Sequence, residues 1–120
     1  MIYEYNARLT RVVDGDTVWL DVDLGFGVHT TSDFRLYGID TPELIGATRA
    51  AGLAAKAELE RLLSIGSLRI ETHKGDEADK YGRWLANLYV RRADGSELDV
   101  NALLVSGRFA KAYFGKGPKP

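Results

Sequence analysis

A chain of 120 residues, 45% of them hydrophobic, is long enough for one domain that buries roughly two thirds of its unfolded surface. With no cysteine, disulfides and thiolate metal sites are excluded, so any metal must be held by oxygen or by His29 and His73. A net charge of −1 and a pI near 6.1 remove the global basic signature of a constitutive nucleic-acid binder, although local patches stay open, and no apolar run approaches a membrane span.

Tyr3 to Val13 alternates loosely as a first strand and runs into Asp14-Gly15-Asp16-Thr17, a turn with acids on both sides of a glycine. The second strand puts Val18, Leu20 and Val22 on a core face and Thr17, Trp19, Asp21 and Asp23 on a wetter one. Gly25-Phe26-Gly27 turns the chain into a third strand from Val28, giving a long hairpin and a three-stranded meander. In Phe34 to Glu43, Phe34 and Leu36 share one face of that strand while Arg35 takes the other. Gly38 allows a conformation closed to other residues, and Pro42 keeps Thr41 extended, so Asp40, Thr41 and Glu43 are held in a rigid turn.

Ala47 to Ser64, rich in alanine, leucine, glutamate and lysine, is the main helix. Ala51, Ala55, Leu59, Leu62 and Leu63 form its apolar stripe, with Glu58 and Arg61 on one flank, Lys56 and Glu60 on the other, and Gly66 placed to end it. Leu68, Ile70 and Thr72 alternate with Arg69, Glu71 and His73 as a fourth strand; a polar loop from Lys74 to Gly82 leads to a fifth at Arg83 to Arg91. Asp94-Gly95 is a turn, Val100 to Ser106 a short helix capped by Asp99 and stopped by Gly107. Five short strands with the helix after the third fit the α+β, mainly β, Greek-key barrel called the OB-fold; a two-layer α+β sheet gives a similar string. The domain is expected to span 1–114, with a flexible tail over 115–120. From Arg108 onward, Lys111, Lys116 and Lys119 add positive charge without a single acid.

Asp14, Asp16, Asp40 and Glu43 come from two strand ends that a closed sheet can bring together, and oxygen ligands of this kind suit Ca²⁺ or Mg²⁺. Ordinary turn chemistry also accounts for Asp14 and Asp16 taken alone. The helix-loop-helix calcium motif does not fit, because Val18 occupies the third ligand position. Arg35 and Arg83 carry guanidinium groups that match phosphate oxygens bidentately; singly, either is an ordinary surface ion pair. Together with the acids they supply the parts for phosphodiester cleavage: a metal, two cations for the pentavalent phosphate and a carboxylate to take a proton from water. His29 and His73 are expected at the surface without a catalytic part.

Three ordered motifs, Asp14-Gly15-Asp16-Thr17, Arg35-Leu36 through Asp40-Thr41-Pro42-Glu43, and Asp79-Lys80-Tyr81-Gly82-Arg83, closely resemble the staphylococcal nuclease (thermonuclease) family from about Leu9 to Tyr113. The resemblance implies an OB barrel with helices and Ca²⁺-dependent cleavage of DNA and RNA that leaves 3′-phosphate ends. It implies Asp16, Asp40 and the Thr41 carbonyl as metal ligands, with Asp14 behind them, Glu43 as general base, and Arg35 and Arg83 as phosphate clamps. Lys80, Tyr81 and Tyr113 would lie along the nucleotide, with core packing an equal reading for Tyr113. The hairpin between Asp16 and Arg35 is longer than in the best-known member, and the larger members continue past Gly115 into a further helix, so a short form is expected. With no signal-like start, a cytoplasmic, phage-type monomer acting on DNA or RNA and not on membranes is the expectation. The competing class is a noncatalytic OB module that binds single strands or a protein partner, which has no need of Asp16, Asp40, Glu43, Arg35 and Arg83 together.

Overall fold

The alternating first third of the chain forms three antiparallel strands, β1 (Ile2–Asp14), β2 (Thr17–Gly25) and β3 (Val28–Leu36). The computed structural model describes residues 2–73 and 83–113; the loop carrying Lys80 and Tyr81 and the expected 115–120 tail lie outside the described residues. After the two-residue β4 (Ile39–Asp40) and a 3-10 turn (Gly46–Thr48) come α1 (Arg49–Leu63), β5 (Ser67–His73), β6 (Trp84–Arg91), β7 (Glu97–Asp99), α2 (Val100–Ser106) and β8 (Lys111–Ala112).

The sheet runs β3-β2-β1-β5-β6-β7, and β3 returns to pair in parallel with β6, Phe34 opposite Trp84 and Leu36 opposite Ala86. Five strands thereby close on themselves, which is the expected OB barrel and excludes the two-layer sheet. Closure gives the Phe34–Leu36 end of β3 hydrogen-bonding partners on both sides, so that end is no longer a sheet edge. The inward positions are apolar: Val18, Leu20, Ile70, Leu88 and Val90 are fully buried, and Leu59, Leu62, Val100 and Leu104 of the helices close the core from outside the barrel.

Several details depart from the sequence reading. Thr17, expected on the wet face of β2, is buried, because the strand end on which it sits is covered by the site described below. In α1, Ala51 is exposed and Gly52 takes the buried place, since the helix begins with Arg49 after the 3-10 turn and its inward stripe reads Gly52, Ala55, Leu59, Leu62 and Leu63. Gly66 lies past the end of α1, which Ser64 closes; a Cβ there would overlap the Arg91 carbonyl, so close backbone approach accounts for this glycine. The fifth barrel strand starts at Trp84, one residue later than expected, and β4, β7 and β8 are too short to show in an alternation pattern. The Asp99 cap is as expected: its Oδ1 accepts from the Ala102 N–H at 3.1 Å.

Candidate active site

Two turns at one end of the β1–β2–β3 meander bring the acids together. In β1 the register slips between Val12 and Asp14, a bulge that twists the strand just before Gly15-Asp16 turns it into β2. Asp14 and Thr17 pair across that turn, and Asp14 Oδ1 accepts the Asp16 N–H at 3.1 Å. The second turn follows β3, where Gly38 adopts φ +79° and β4 returns the chain to Asp40. The Leu36 N–H donates to the Asp16 carbonyl at 2.8 Å, which stitches the two turns together.

Arg35 stands between them. Its Nη1 lies 2.7 Å from Asp16 Oδ2, and its Nη2 donates to Asp40 Oδ1 at 3.2 Å and to the Ile39 carbonyl at 2.9 Å. Asp16 Oδ2 also accepts the Thr41 N–H at 3.1 Å, and Oδ1 accepts the Thr17 hydroxyl at 3.2 Å. Thr17 Oγ1 in turn accepts Arg83 Nη1 at 3.0 Å. One continuous chain therefore joins Arg83, Thr17, Asp16, Arg35 and Asp40, and all but Arg83 belong to the two turns and the strand ends beside them. Arg83, the residue before β6, arrives through barrel closure.

The charges are tuned by this packing. Asp14 is pushed up to about 6, first by burial and then by the neighbouring Asp16 carboxylate. Burial would raise Asp16 too, but its contact with Asp14, the Arg35 guanidinium and the Thr41 N–H outweigh burial and hold it below the usual range. Burial works against the Arg35 charge, and Asp16 and Asp40 more than restore it. The donors available for a cation are hard oxygens. Among the described residues no three acidic or histidine side chains converge into a ready-made cluster. Asp16 turns Oδ2 to Arg35 and the Thr41 N–H and Oδ1 to the Thr17 hydroxyl, with the Asp14 carboxyl beside it. An oxygen-only donor set in which one acid is already raised by its neighbour suits a hard divalent ion.

Helix α1 sets the position of both turns. A Cβ on Gly15 would lie 2.7 Å from Ala55 Cβ and 2.9 Å from Thr41 Oγ1; one on Gly52 would lie 2.6 Å from the Glu43 carbonyl oxygen. The helix thus seats its smallest residues directly on the two loops. Glu43 is exposed, three residues past Asp40, its carbonyl accepting the Thr48 hydroxyl at 2.9 Å. Tyr113 is half-buried, and its N–H donates to the Gly38 carbonyl at 2.8 Å, so it lies beside the second turn. Among the predicted site residues, Asp14, Asp16, Arg35, Asp40 and Thr41 converge directly and Arg83 joins through Thr17; Lys80 and Tyr81 lie outside the described residues.

Three contributors escaped the sequence reading. Thr17 connects the two halves of the site, and its place in the Asp-Gly-Asp-Thr turn was the available signal. Lys111, read only as part of a basic tail, pairs opposite Asp40 in the β4–β8 ladder. Asn101 is buried in α2; its Nδ2 donates to the Tyr37 carbonyl at 2.9 Å and the Ala86 carbonyl at 3.2 Å, while Oδ1 accepts the Leu88 N–H at 3.1 Å. It fastens the turn after Arg35 to β6. A polar residue among the apolar positions of a short helix was its only sign.

Comparison with known proteins agrees with this geometry. The staphylococcal nuclease homologue family model matches residues 33–119. The chain is 35% identical over 111 residues to endonuclease YncB of Bacillus subtilis, covering 90% of this chain and 48% of that protein. It is 38% identical over 111 residues to the SPbeta prophage-derived endonuclease YokF of the same organism, covering 90% and 34%. Against the thermonuclease of Staphylococcus hyicus it is 32% identical over 114 residues, covering 92% and 61%. The chain thus spans between about a third and three fifths of the length of these relatives. The family model begins at residue 33, so the Asp14–Thr17 turn enters the site on the strength of the structure. With a closed five-stranded barrel, the Arg35 cluster and a match over well over half its length, the chain belongs to the staphylococcal nuclease homologue family.

Proposed function

We propose that this protein hydrolyses phosphodiester bonds of DNA, and of RNA as well, in a Ca²⁺-dependent reaction that leaves 3′-phosphate ends. The observation that carries the reading is the placement of one guanidinium between two carboxylates, Arg35 at 2.7 Å from Asp16 and 3.2 Å from Asp40, with Arg83 reaching the same carboxylate through Thr17. Family membership and relatives named endonuclease and thermonuclease support it.

In this reading Asp16, Asp40 and the Thr41 carbonyl would hold the cation, and Asp14, which accepts the Asp16 N–H, orients Asp16 from behind. When bound, the ion supplies positive charge that polarises the phosphate and lowers the pKa of a nearby water. Arg35 already holds Asp16, Asp40 and the Ile39 carbonyl, and the N–H donors of its guanidinium not used there would meet the non-bridging phosphate oxygens. Arg83 binds the same group from the β6 side and stabilises the charge that builds on the pentavalent phosphate. Glu43, which is exposed, takes the proton of the attacking water. Preorganisation comes from the chain itself: Arg35 and the Thr41 N–H fix Asp16 before substrate arrives.

Cleavage of a fluorescent single-stranded DNA with Ca²⁺, with Mg²⁺ and with chelator tests the proposal. Activity that needs Ca²⁺ and releases 3′-phosphate ends is expected. Folded protein that cleaves under no metal would instead favour a noncatalytic OB module that binds single strands.

A further inference from the structure

The five barrel strands are unequal in length. At one end β2 and β3 run on to the Gly25–Gly27 turn, well beyond Phe34, the position that pairs with the first residue of β6, Trp84. Among the described residues the barrel is therefore open there, and the opening is a cavity of about 490 Å³. It lies inside the barrel, whereas the Arg35 cluster lies outside: Phe34 faces the cavity and its neighbour Arg35 the acids.

The chemistry of this cavity differs from that of the core beneath it. Deeper inward positions are aliphatic and sealed, as at Leu20, Leu88 and Val90. At the open end Tyr3, Tyr5, Phe34 and Trp84 form aromatic walls, and Trp84 and Tyr3 stay 44% and 42% exposed although they line the cavity. Thr30, Ser32 and Thr72 place hydroxyls where a barrel core calls for methyl groups. None of the described residues lining the cavity is charged. A matching ligand is flat, aromatic and neutral, with hydrogen-bonding edges. A phosphate has no cationic partner among the described lining residues, but Arg83, next in sequence to Trp84, reaches Thr17 of the site.

We propose that this cavity holds one unpaired nucleobase of the strand whose phosphate is gripped by Arg35 and Arg83, an assignment that rests on the nuclease reading for the identity of that strand. The base stacks on Trp84 and the tyrosines and is met at its edges by the hydroxyls, so a single-stranded or frayed substrate is favoured over a duplex.

The test separates the cavity from catalysis. The intact protein is titrated with thymidine, with adenosine and, as control, with deoxyribose, none of which carries a phosphate, while the Trp84 indole and the amides of Thr30, Ser32 and Thr72 are followed by NMR. Both nucleosides should shift these signals and deoxyribose should not. In parallel, Trp84→Ala should lower kcat/KM on single-stranded DNA by about 5- to 100-fold, the loss sitting in KM, and Trp84→Phe should recover most of it, as expected for one lost base stack. Wild-type signals that stay still at tens of millimolar nucleoside overturn the proposal whatever the cleavage assay shows, and need no variant to fold. Shifts with no cleavage under any metal would leave the cavity standing and remove the nuclease reading.

Discussion

Gly52→Ala sets two effects of similar size against each other. An alanine in place of glycine inside a helix is ordinarily favourable by up to about 1 kcal/mol. Here the added Cβ would sit 2.6 Å from the Glu43 carbonyl oxygen, 2.9 Å from the Glu43 carbonyl carbon and 2.9 Å from the Pro42 carbonyl oxygen. All three are backbone atoms, so no side chain can swing away. To reach ordinary contact at 3.4 Å the helix and the Pro42–Glu43 turn must separate by about 0.8 Å. Overpacking of this kind costs about 1–3 kcal/mol, which offsets or exceeds the propensity gain, and a net loss of up to about 2 kcal/mol in urea unfolding is expected. Because the same turn carries Thr41 and Glu43, the displacement also reaches the site, and misplacement approaching 1 Å costs on the order of 10- to 100-fold in kcat. Ala54→Gly, on the exposed side of the same helix, measures the propensity term alone and should destabilise by about 1 kcal/mol without touching kcat. A Gly52→Ala protein that gains stability and keeps its kcat would refute the claim that α1 positions the turn.

Other perturbations probe the remaining parts. Asn101→Ala takes from the buried Leu88 N–H its side-chain acceptor, and removes one donor each from the Tyr37 and Ala86 carbonyls, and should cost about 1–3 kcal/mol; no measurable loss by urea unfolding would show that the clamp is dispensable. Glu43→Ala and Arg83→Ala should each lower kcat by 10²- to 10³-fold, as estimated for lost transition-state charge partners, while circular dichroism stays unchanged; near wild-type turnover from either would remove its assigned role. For Asp16→Ala, calorimetry should show weakened Ca²⁺ binding, and an unchanged affinity would exclude Asp16 as a ligand. On the outer face of the barrel Arg69 binds Glu4 at 2.8 Å, Glu71 at 2.6 Å and Glu97 at 2.9 Å, stacks 4.4 Å from the Tyr89 ring, and holds Glu97 and Glu71 below their usual range chiefly through these hydrogen bonds. Folded values below the unfolded ones mean stability that is present above about pH 4.5 and lost as pH falls further. Arg69→Ala should therefore flatten the acid limb of the stability curve, and an unaltered limb would place acid sensitivity elsewhere.

The order and type of the long elements were determined locally. Val18, Leu20 and Val22 alternate because one face of β2 is core, and the alanine- and leucine-rich run from 47 to 64 has no other use than a helix. The rigid turn at Gly38 was equally local, since a left-handed backbone there needs glycine, and the cap at Asp99 announced itself by residue type. The acids and arginines of the site were visible as residue types at strand ends, although roles for them came from resemblance and not from spacing.

What the sequence could not decide is what meets what. Period-two alternation fixes which side of a strand a residue faces, not which other strand lies beside it. The parallel β3–β6 pairing that brings Arg83 to Thr17 closes about fifty residues of chain, so no local pattern encodes it. Alternation places Thr17 on the wet face, and burial of its hydroxyl becomes favourable only once barrel closure brings Arg83 to it. Gly15, Gly52 and Asn101 likewise look like a turn residue, a weak helix former and a misplaced polar group until the helices dock. Only then do two glycines become the clearance between α1 and the site, and one asparagine the bond that holds the turn after Arg35 against β6.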